Sequence, residues 1–198
     1  MTDKVSNRTD IINYLIKYYN YSSYLEIGVG NKNRNFNKIR CKNKKGIDPN
    51  GKADIKLTSD IFFADCSIEE KYDIIFIDGL HIEEQVDKDI SNSFLHLNDK
   101  GMIVLHDCNP VSELLQEEKR KSKDWCGTVW KSFAKLRMTR KDLFMFVVNI
   151  DYGVGVIKKG EQQIFVSDKG FLLDYKFLDS NRSKLLNIIS PEKIFNIL

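Results

Sequence analysis

The sequence predicts an α/β fold on a largely parallel sheet. Three observations carry that reading. Apolar strand-like runs alternate with helix-period patterns. One early run leads straight into Gly28-Val29-Gly30, a loop of the kind that joins strand to ligand in open α/β sheets. The last two runs are joined only by Asp151-Tyr152-Gly153, too short for a crossover helix, so that pair is antiparallel.

The elements follow in order. Thr9-Asp10 caps a helix whose Ile11, Ile12, Leu15, Ile16 and Tyr19 form one apolar stripe. Ser23 to Ile27 is a strand ending at the glycine loop. A second strand, Lys45 to Ile47, ends at Asp48-Pro49-Asn50-Gly51, a turn by composition. Ala53 to Leu57 reads as a third strand, and Tyr72 to Asp78 as the fourth and clearest. Ile82, Val86, Ile90, Phe94 and Leu97 then recur at helical intervals until Asn98-Asp99-Lys100-Gly101 stops them. Met102 to Leu105 is a fifth strand, followed by His106-Asp107-Cys108-Asn109-Pro110. Pro110 suits the first turn of a helix reaching the charged tract Glu117 to Lys123. Trp130 to Leu136 is helical by pattern, and Leu143 to Ile150 and Val154 to Ile157 are the closing strands.

The 198 residues suit one domain with a real core. Residues 1–22 carry the N-terminal helix, 23–158 the core and 159–198 a C-terminal extension. Composition is that of an ordinary globular chain, 42% hydrophobic and 30% charged. No apolar run reaches the length of a membrane span, and the polar stretch from Met1 to Asp10 does not read as a signal peptide. Cys41, Cys66, Cys108 and Cys126 show neither paired nor metal-like spacing, which fits free thiols in a cytoplasmic protein. Lys32, Arg34, Lys38, Arg40, Lys42, Lys44 and Lys45 cluster and could touch phosphate. The net charge is only +3 in a chain rich in Lys and Asn, so the cluster reads as solvated surface rather than a nucleic-acid platform.

Chemistry concentrates where strands end. In Tyr24-Leu25-Glu26-Ile27-Gly28-Val29-Gly30, the glycines let a ligand approach the backbone. A dinucleotide fingerprint wants a third glycine where Asn33 stands. Glu26 would also repel a pyrophosphate, whereas it suits a ligand with a cationic amino group. Asp48, at the end of the second strand, is placed to hydrogen-bond the hydroxyls of a ribose.

With "YLEIGVG", "GIDPN", "TSDIFF", "YDIIFIDGLH", "GMIVLHDCNP" and "DYGVGVI", the chain resembles class I S-adenosylmethionine-dependent methyltransferases over residues 24 to 157. The resemblance implies a Rossmann-like seven-stranded, mostly parallel sheet with a C-terminal antiparallel β-hairpin and helices on both faces. It implies that Glu26 faces the methionine moiety, that Gly28 and Gly30 line it, that Asp48 holds the ribose, and that Ser59 and Asp60 lie near the adenine.

The pairs Asp78/His81 and His106/Asp107 sit at the ends of adjacent strands. Carboxylates and imidazoles together there could hold a divalent metal. His81, with an unperturbed pKa of about 6.5, could instead take the proton of an acceptor hydroxyl. The Asp-Gly-x-His layout is similar to that of sugar and glycan O-methyltransferases. In the metal-using members the first Asp and an acidic pair bind an ion such as Mg2+, while the His is the base. Asp78, His81 and Asp107 match that scheme, and His106 stands where the first acid of the pair is expected. Strand alternation would point His106 and Asp107 to opposite faces. His96, on the outer part of its helix, reads as surface. Trp125 or Trp130 could line a sugar pocket or be core, and Lys119 to Lys123 could be a solvated helix end or a lid.

The leading expectation is therefore O-methylation of a small-molecule or glycan acceptor, without membrane insertion and with homo-oligomerisation left open. Amine or base methylation is a second reading, opposed by the absence of an Asn/Asp-Pro-Pro-aromatic motif after the fourth strand. A nicotinamide-binding domain and a non-catalytic scaffold are the remaining alternatives.

Overall fold

The computed structural model describes residues 4–167 and 173–197; Met1 to Asp3, residues 168–172 and Leu198 lie outside them. Seven strands form one sheet in the order β2-β1-β3-β4-β6-β5-β7. These are β1 (Ser23–Ile27), β2 (Asn43–Ile47), β3 (Tyr72–Ile77), β4 (Leu97–Leu105), β5 (Leu143–Val148), β6 (Val154–Lys159) and β7 (Ile188–Ile189). All pairings are parallel except those of β6, which runs antiparallel to both β4 and β5. The β5–β6 hairpin is as the short junction requires.

The sheet is buried on both faces, as its continuous apolar strands demand. Tyr24, Ile74, Phe76, Met102, Val104 and Phe146 face one layer, made by α1 (Arg8–Tyr19) and α6 (Ile194–Ile197). Leu25, Ile27, Ile75, Ile77, Ile103 and Leu105 face the other, made by α2 (Ser59–Asp65), α3 (Glu83–Leu95), α4 (Val129–Thr139) and α5 (Tyr175–Leu185). Side chains alternating with period two thus feed two cores. No described helix is long and apolar enough to cross a membrane.

Several elements depart from expectation. Ala53 to Leu57 is not a strand: only Ile55 bridges Ile47, beside β2. Asp54 and Lys56, on either side of that single contact, are both exposed. The seventh strand comes instead from the extension, where Ile188 and Ile189 pair with Val147 and Val148. The chain reaches β4 five residues earlier than the glycine stop suggested, because Leu97 pairs with Tyr72 before the register shifts. No helix follows Pro110; residues 113–116 make one 3-10 turn, and the chain returns so that Cys126 and Gly127 donate to the Leu115 carbonyl. After the glycine loop there is likewise only a 3-10 turn, Phe36–Lys38.

α1 is capped by Asn7, whose side chain accepts from the Asp10 amide, not by Thr9-Asp10. Thr9 is inside the helix and donates to Asn35 across the interface. His96 is buried rather than exposed: it caps α3, pairs through Nδ1 with the Glu70 carbonyl at 2.9 Å and packs on Phe63.

Register decides where function can sit. Ile27 pairs with Ile77, and Ile77 with Leu105. The next residues, Gly28, Asp78 and His106, therefore emerge side by side at the carboxyl edge, with Asp78 N on the Ile27 carbonyl (2.9 Å) and His106 N on the Ile77 carbonyl (3.1 Å). Because β6 is antiparallel, the turn before it, Asp151-Tyr152-Gly153, arrives at the same edge.

Candidate active site

A cavity of about 710 Å³ opens along that edge, running from Asp48, Ser59 and Asp60 past Gly28 and Glu26 to Asp78, His81 and Asp107. Two strand ends come close together at Gly28. There φ is +88°, and a Cβ would lie 2.2 Å from the Asp78 carbonyl, so only glycine lets the ends of β1 and β3 meet. At Gly30 (φ +52°) a Cβ would meet no atom, which leaves the loop backbone open to a ligand.

Glu26 is buried on β1. Its Oε2 accepts from Tyr24 Oη (2.5 Å) and Asn35 Nδ2 (2.9 Å), and Asn35 in turn accepts from Thr9. Burial lifts its pKa to about 7, although the bonds from Tyr24 and Asn35 pull the other way. A carboxyl so desolvated gains most from a cation. Asp48 holds the loop: Oδ2 accepts from Gly30 N (2.8 Å), and Oδ1 from Asn50 N (2.8 Å) and Gly51 N (2.5 Å). Three backbone bonds leave it lone-pair capacity toward the cavity.

Ser59 and Asp60 open α2 at the far end. Both accept from Gln85 Nε2, at 3.1 and 2.9 Å, as does the buried Asp89 at 3.0 Å. Burial raises the Asp89 pKa against the bonds from Ser59 and Gln85. Gln85 and Asp89 are lining residues the sequence reading passed over. Their spacing of four, on the helix face leading out of Asp78-Gly79-Leu80-His81, is the signal that could have found them.

The opposite end is a compact cluster of charge. His81 Nδ1 lies 3.0 Å from the Trp125 carbonyl and 3.3 Å from Asp107 Oδ2, and Nε2 lies 3.4 Å from Asp78 Oδ1. A carbonyl only accepts, so Nδ1 carries a proton. Burial would lower the His81 pKa, but Asp78 and Asp107 outweigh it and raise it. The Trp125 ring stacks on the imidazole at 5.1 Å, and Thr128 N donates to the His81 carbonyl. Asp107 has φ +60°, outside the strand, which brings it to the side of His106 rather than away from it. Alternation ends with Leu105, and His106 Nδ1 is 3.1 Å from both Asp107 Oδ2 and Asp78 Oδ1.

Arg8 and Asp151 complete the cluster, and the sequence reading named neither as site residues. Arg8 Nη1 is 2.6 Å from His106 Nε2 and 3.1 Å from Asp151 Oδ2, and Arg8 Nε is 3.8 Å from Asp78 Oδ2. Asp151 also accepts from the Arg8 amide, and although burial works against it, His106 and Arg8 hold its pKa at about 2. Burial opposes charge on His106 too, but Asp78, Asp107 and Asp151 raise its pKa well above the usual value. A guanidinium only donates, so Arg8 and a second ring proton compete for Nε2. Asp78, facing both imidazoles and Arg8, is held far below the usual carboxylate range against the cost of its burial.

The donor atoms of Asp78, His81 and Asp107 lie within 4.8 Å of one another. The two carboxylates fit a divalent cation, and the imidazole lies beside them at the cavity. His106 stands outside that set, engaged by Arg8 and Asp151. The two tryptophans divide: Trp125 lines the cavity, while Trp130 is fully buried in the core. Arg120 and Lys123 reach the cavity rim from a loop, not from a helix end.

Residues 37–108 match the family model described as a methyltransferase domain, a segment holding Asp48, Asp78, His81 and Asp107. A search of curated proteins finds no match. Among solved structures, a candidate caffeoyl-CoA O-methyltransferase of Staphylococcus aureus superposes with a TM-score of 0.56 at 17% identity, covering 79% of this chain and 85% of that one. The SAH-bound methyltransferase PaMTH1 of Podospora anserina gives 0.55 at 14% identity over 80% and 81%. MycE, from the mycinamycin biosynthetic pathway, in complex with Mg, SAH and mycinamycin VI, gives 0.51 at 15% identity, covering 78% of this chain and half of its own. The chain has the Rossmann-like fold of these methyltransferases, with its cavity at the carboxyl edge of the sheet.

Proposed function

We propose that the protein is an S-adenosylmethionine-dependent O-methyltransferase acting on a hydroxyl of a small molecule, in the finer reading a sugar or glycan. One observation carries this: a single cavity joins a glycine-lined, carboxylate-backed end to an Asp-His-Asp end. The fold of the SAH-bound PaMTH1 and MycE supports it. The reading takes residues 1–198 as one domain, an assignment supported by the extension's β7 joining the sheet.

The chain's residues suit that cosubstrate. Glu26, desolvated and favoured by positive charge, would take the amino group, with Gly28 and Gly30 admitting the chain beside it. Asp48 would take the ribose, and Ser59 and Asp60, held by Gln85, would border the adenine. S-adenosylmethionine supplies a sulfonium methyl group whose C–S electrons stay on sulfur as the methyl leaves. His81 keeps its Nδ1 proton on the Trp125 carbonyl, so Nε2 presents the lone pair. The acceptor hydroxyl gives its proton to Nε2 as its oxygen forms the new O–CH3 bond. Asp78 and Asp107, with His81 at their side, would hold a divalent cation such as Mg2+, which would polarise the acceptor oxygen and offset the field that raises the His81 pKa.

Calorimetric titration with S-adenosylmethionine, SAH and NAD tests the reading. Binding of the first two and not of NAD is expected; failure of both adenosyl ligands to bind would overturn it.

A further inference from the structure

Six of the seven cations in residues 32–45 resolve into two groups; the seventh, Lys42, is exposed and does not line the groove. Lys32 pairs with Asp54, Lys45 with Glu70, and Lys44 donates to the Phe36 and Ile39 carbonyls. Those cations are accounted for by the fold. Arg34, Lys38 and Arg40 are exposed, and none makes a side-chain hydrogen bond or ion pair among the described residues. All three line one groove of about 610 Å³, together with Arg8, Asp10, Asn13 and Asp151.

The groove is a built surface. Asn13 ties its two walls together, donating to the Lys38 carbonyl (3.0 Å) and accepting from Arg40 N (2.7 Å), and Thr9 bonds Asn35 at 2.7 Å. Neither carboxylate lining the groove pairs with any of the three cations. Asp151 is bonded by Arg8, and Asp10 accepts from Ser6 N and Oγ. The N-terminus of α1 adds little, because its Arg8 and Asp10 amides are already bonded by Asp151 and Asn7. The groove also continues into the cavity: Arg8, Arg34 and Asp151 line both. Arg8 and Asp151, which line the groove, both lie against His106, and Arg8 also faces Asp78.

We infer that the acceptor of the proposed methyl transfer carries a phosphoryl group, which docks on Arg34, Lys38 and Arg40 while a hydroxyl of the same molecule enters the cavity beside Asp78 and His81. Three unpaired cations on a fixed frame match a multiply charged oxyanion better than a neutral sugar, and two of them are guanidinium forks suited to phosphate. The inference rests on the methyltransferase reading, so its test keeps the two apart.

Inorganic pyrophosphate, glucose 1-phosphate and glucuronate are titrated into the full chain saturated with SAH, as wild type and as the double variant Lys38→Gln/Arg40→Gln. Lys38 and Arg40 line the groove alone, so SAH affinity is expected to stay within twofold. Pyrophosphate is expected to bind the wild type, at least tenfold more weakly in the variant, and more weakly as salt rises. Glucose 1-phosphate is expected to displace it and glucuronate not. Equal pyrophosphate binding by both proteins, or none by the wild type, overturns the assignment, and so does equal displacement by glucuronate. If SAH binds neither protein, the methyltransferase reading fails, and the pyrophosphate titration on the ligand-free chain still reads the groove.

Discussion

Glu26→Gln is expected to stabilise the protein and weaken its cofactor binding at once. The carboxyl is 1% exposed, and burial moves its pKa from 4.5 to about 7. At about 1.4 kcal/mol per pH unit, that gap is worth about 3 kcal/mol. The direction follows from which state holds the proton. Below pH 4.5 the folded and unfolded chains both carry it, and Glu26 costs nothing. Between pH 4.5 and 7 the unfolded chain ionises while the folded one does not, so stability is lost as pH rises through that window. The amide of the variant has no such proton to lose. Both native bonds go to one oxygen, Oε2, so an amide oxygen placed there keeps Tyr24 and Asn35 satisfied. At pH 8 the variant should gain up to about 3 kcal/mol, or roughly 6–12 °C in Tm for a chain of this size, and at pH 4.5 almost nothing. Thermal unfolding of both proteins across pH 4.5–8 measures this. A difference that does not change with pH would refute the assignment of a buried, proton-holding carboxyl. SAH affinity should move the opposite way, falling about tenfold or more with the loss of one charge-assisted contact. Wild-type binding near pH 6.5 should release a proton, read as a dependence of calorimetric heat on buffer ionisation. A variant that binds SAH as tightly as wild type would show that Glu26 does not face the amino group.

His81→Ala should keep SAH affinity and lose turnover by roughly 10²–10⁴-fold on any acceptor the wild type methylates, and full activity would remove His81 as the base. Gly127→Ala should act on the same residue from behind. At φ +60° its Cβ would fall 2.0 Å from the His81 carbonyl, so the loop or His81 must shift, and a shift near 1 Å costs about 10²-fold in rate. Unchanged turnover in that variant would show that the 125–128 segment does not position the imidazole. Mg2+ or Mn2+ should raise the wild-type Tm and leave Asp107→Asn unmoved; equal shifts in both would place any cation elsewhere.

Much of the frame was legible because it rests on local patterns. Ile74 to Ile77 and Met102 to Leu105 are apolar without interruption, and only a strand covered on both faces uses such a run. The failures came where a segment's state depends on a distant neighbour. Ile188 and Ile189 are a strand only because β5 offers its free edge, and two residues carry no period to detect. Ala53 to Leu57 had the right composition, but only Ile55 bonds the edge of β2. At the site, Glu26, Gly28, Asp48, Asp78, His81 and Asp107 were readable because each sits at or just after the end of a recognisable strand and register brings those ends together. Arg8 enters from the helix before the sheet, and Asp151 from a turn that reads as punctuation. Asp151 could have been found: an antiparallel strand beside β4 must begin at the edge where β4 ends.

Arg8 also makes α1 part of the site, and Arg8→Met tests how. Asp78 and Asp151 face the same guanidinium, at 3.8 and 3.1 Å, with side chains about one-fifth exposed. Removing it leaves two partly buried carboxylates short of a cation, a loss of about 1–3 kcal/mol once partial exposure is allowed for. The deficit should depend on pH, because Arg8 and a ring proton compete for Nε2, and without Arg8 the ring, whose pKa the three carboxylates already raise, holds that proton to higher pH. Without Arg8, Nε2 is free to take a proton and donate it to Asp151 Oδ1, 3.4 Å away. A histidine whose folded pKa is raised stabilises fully below its unfolded value, near 6.5, and less as pH climbs toward the folded value. The variant should therefore stand closest to wild type at pH 6 and fall further behind by pH 9. A deficit equal at both would mean that the ring is already protonated with Arg8 present, and that the arginine serves Asp151 and Asp78 alone.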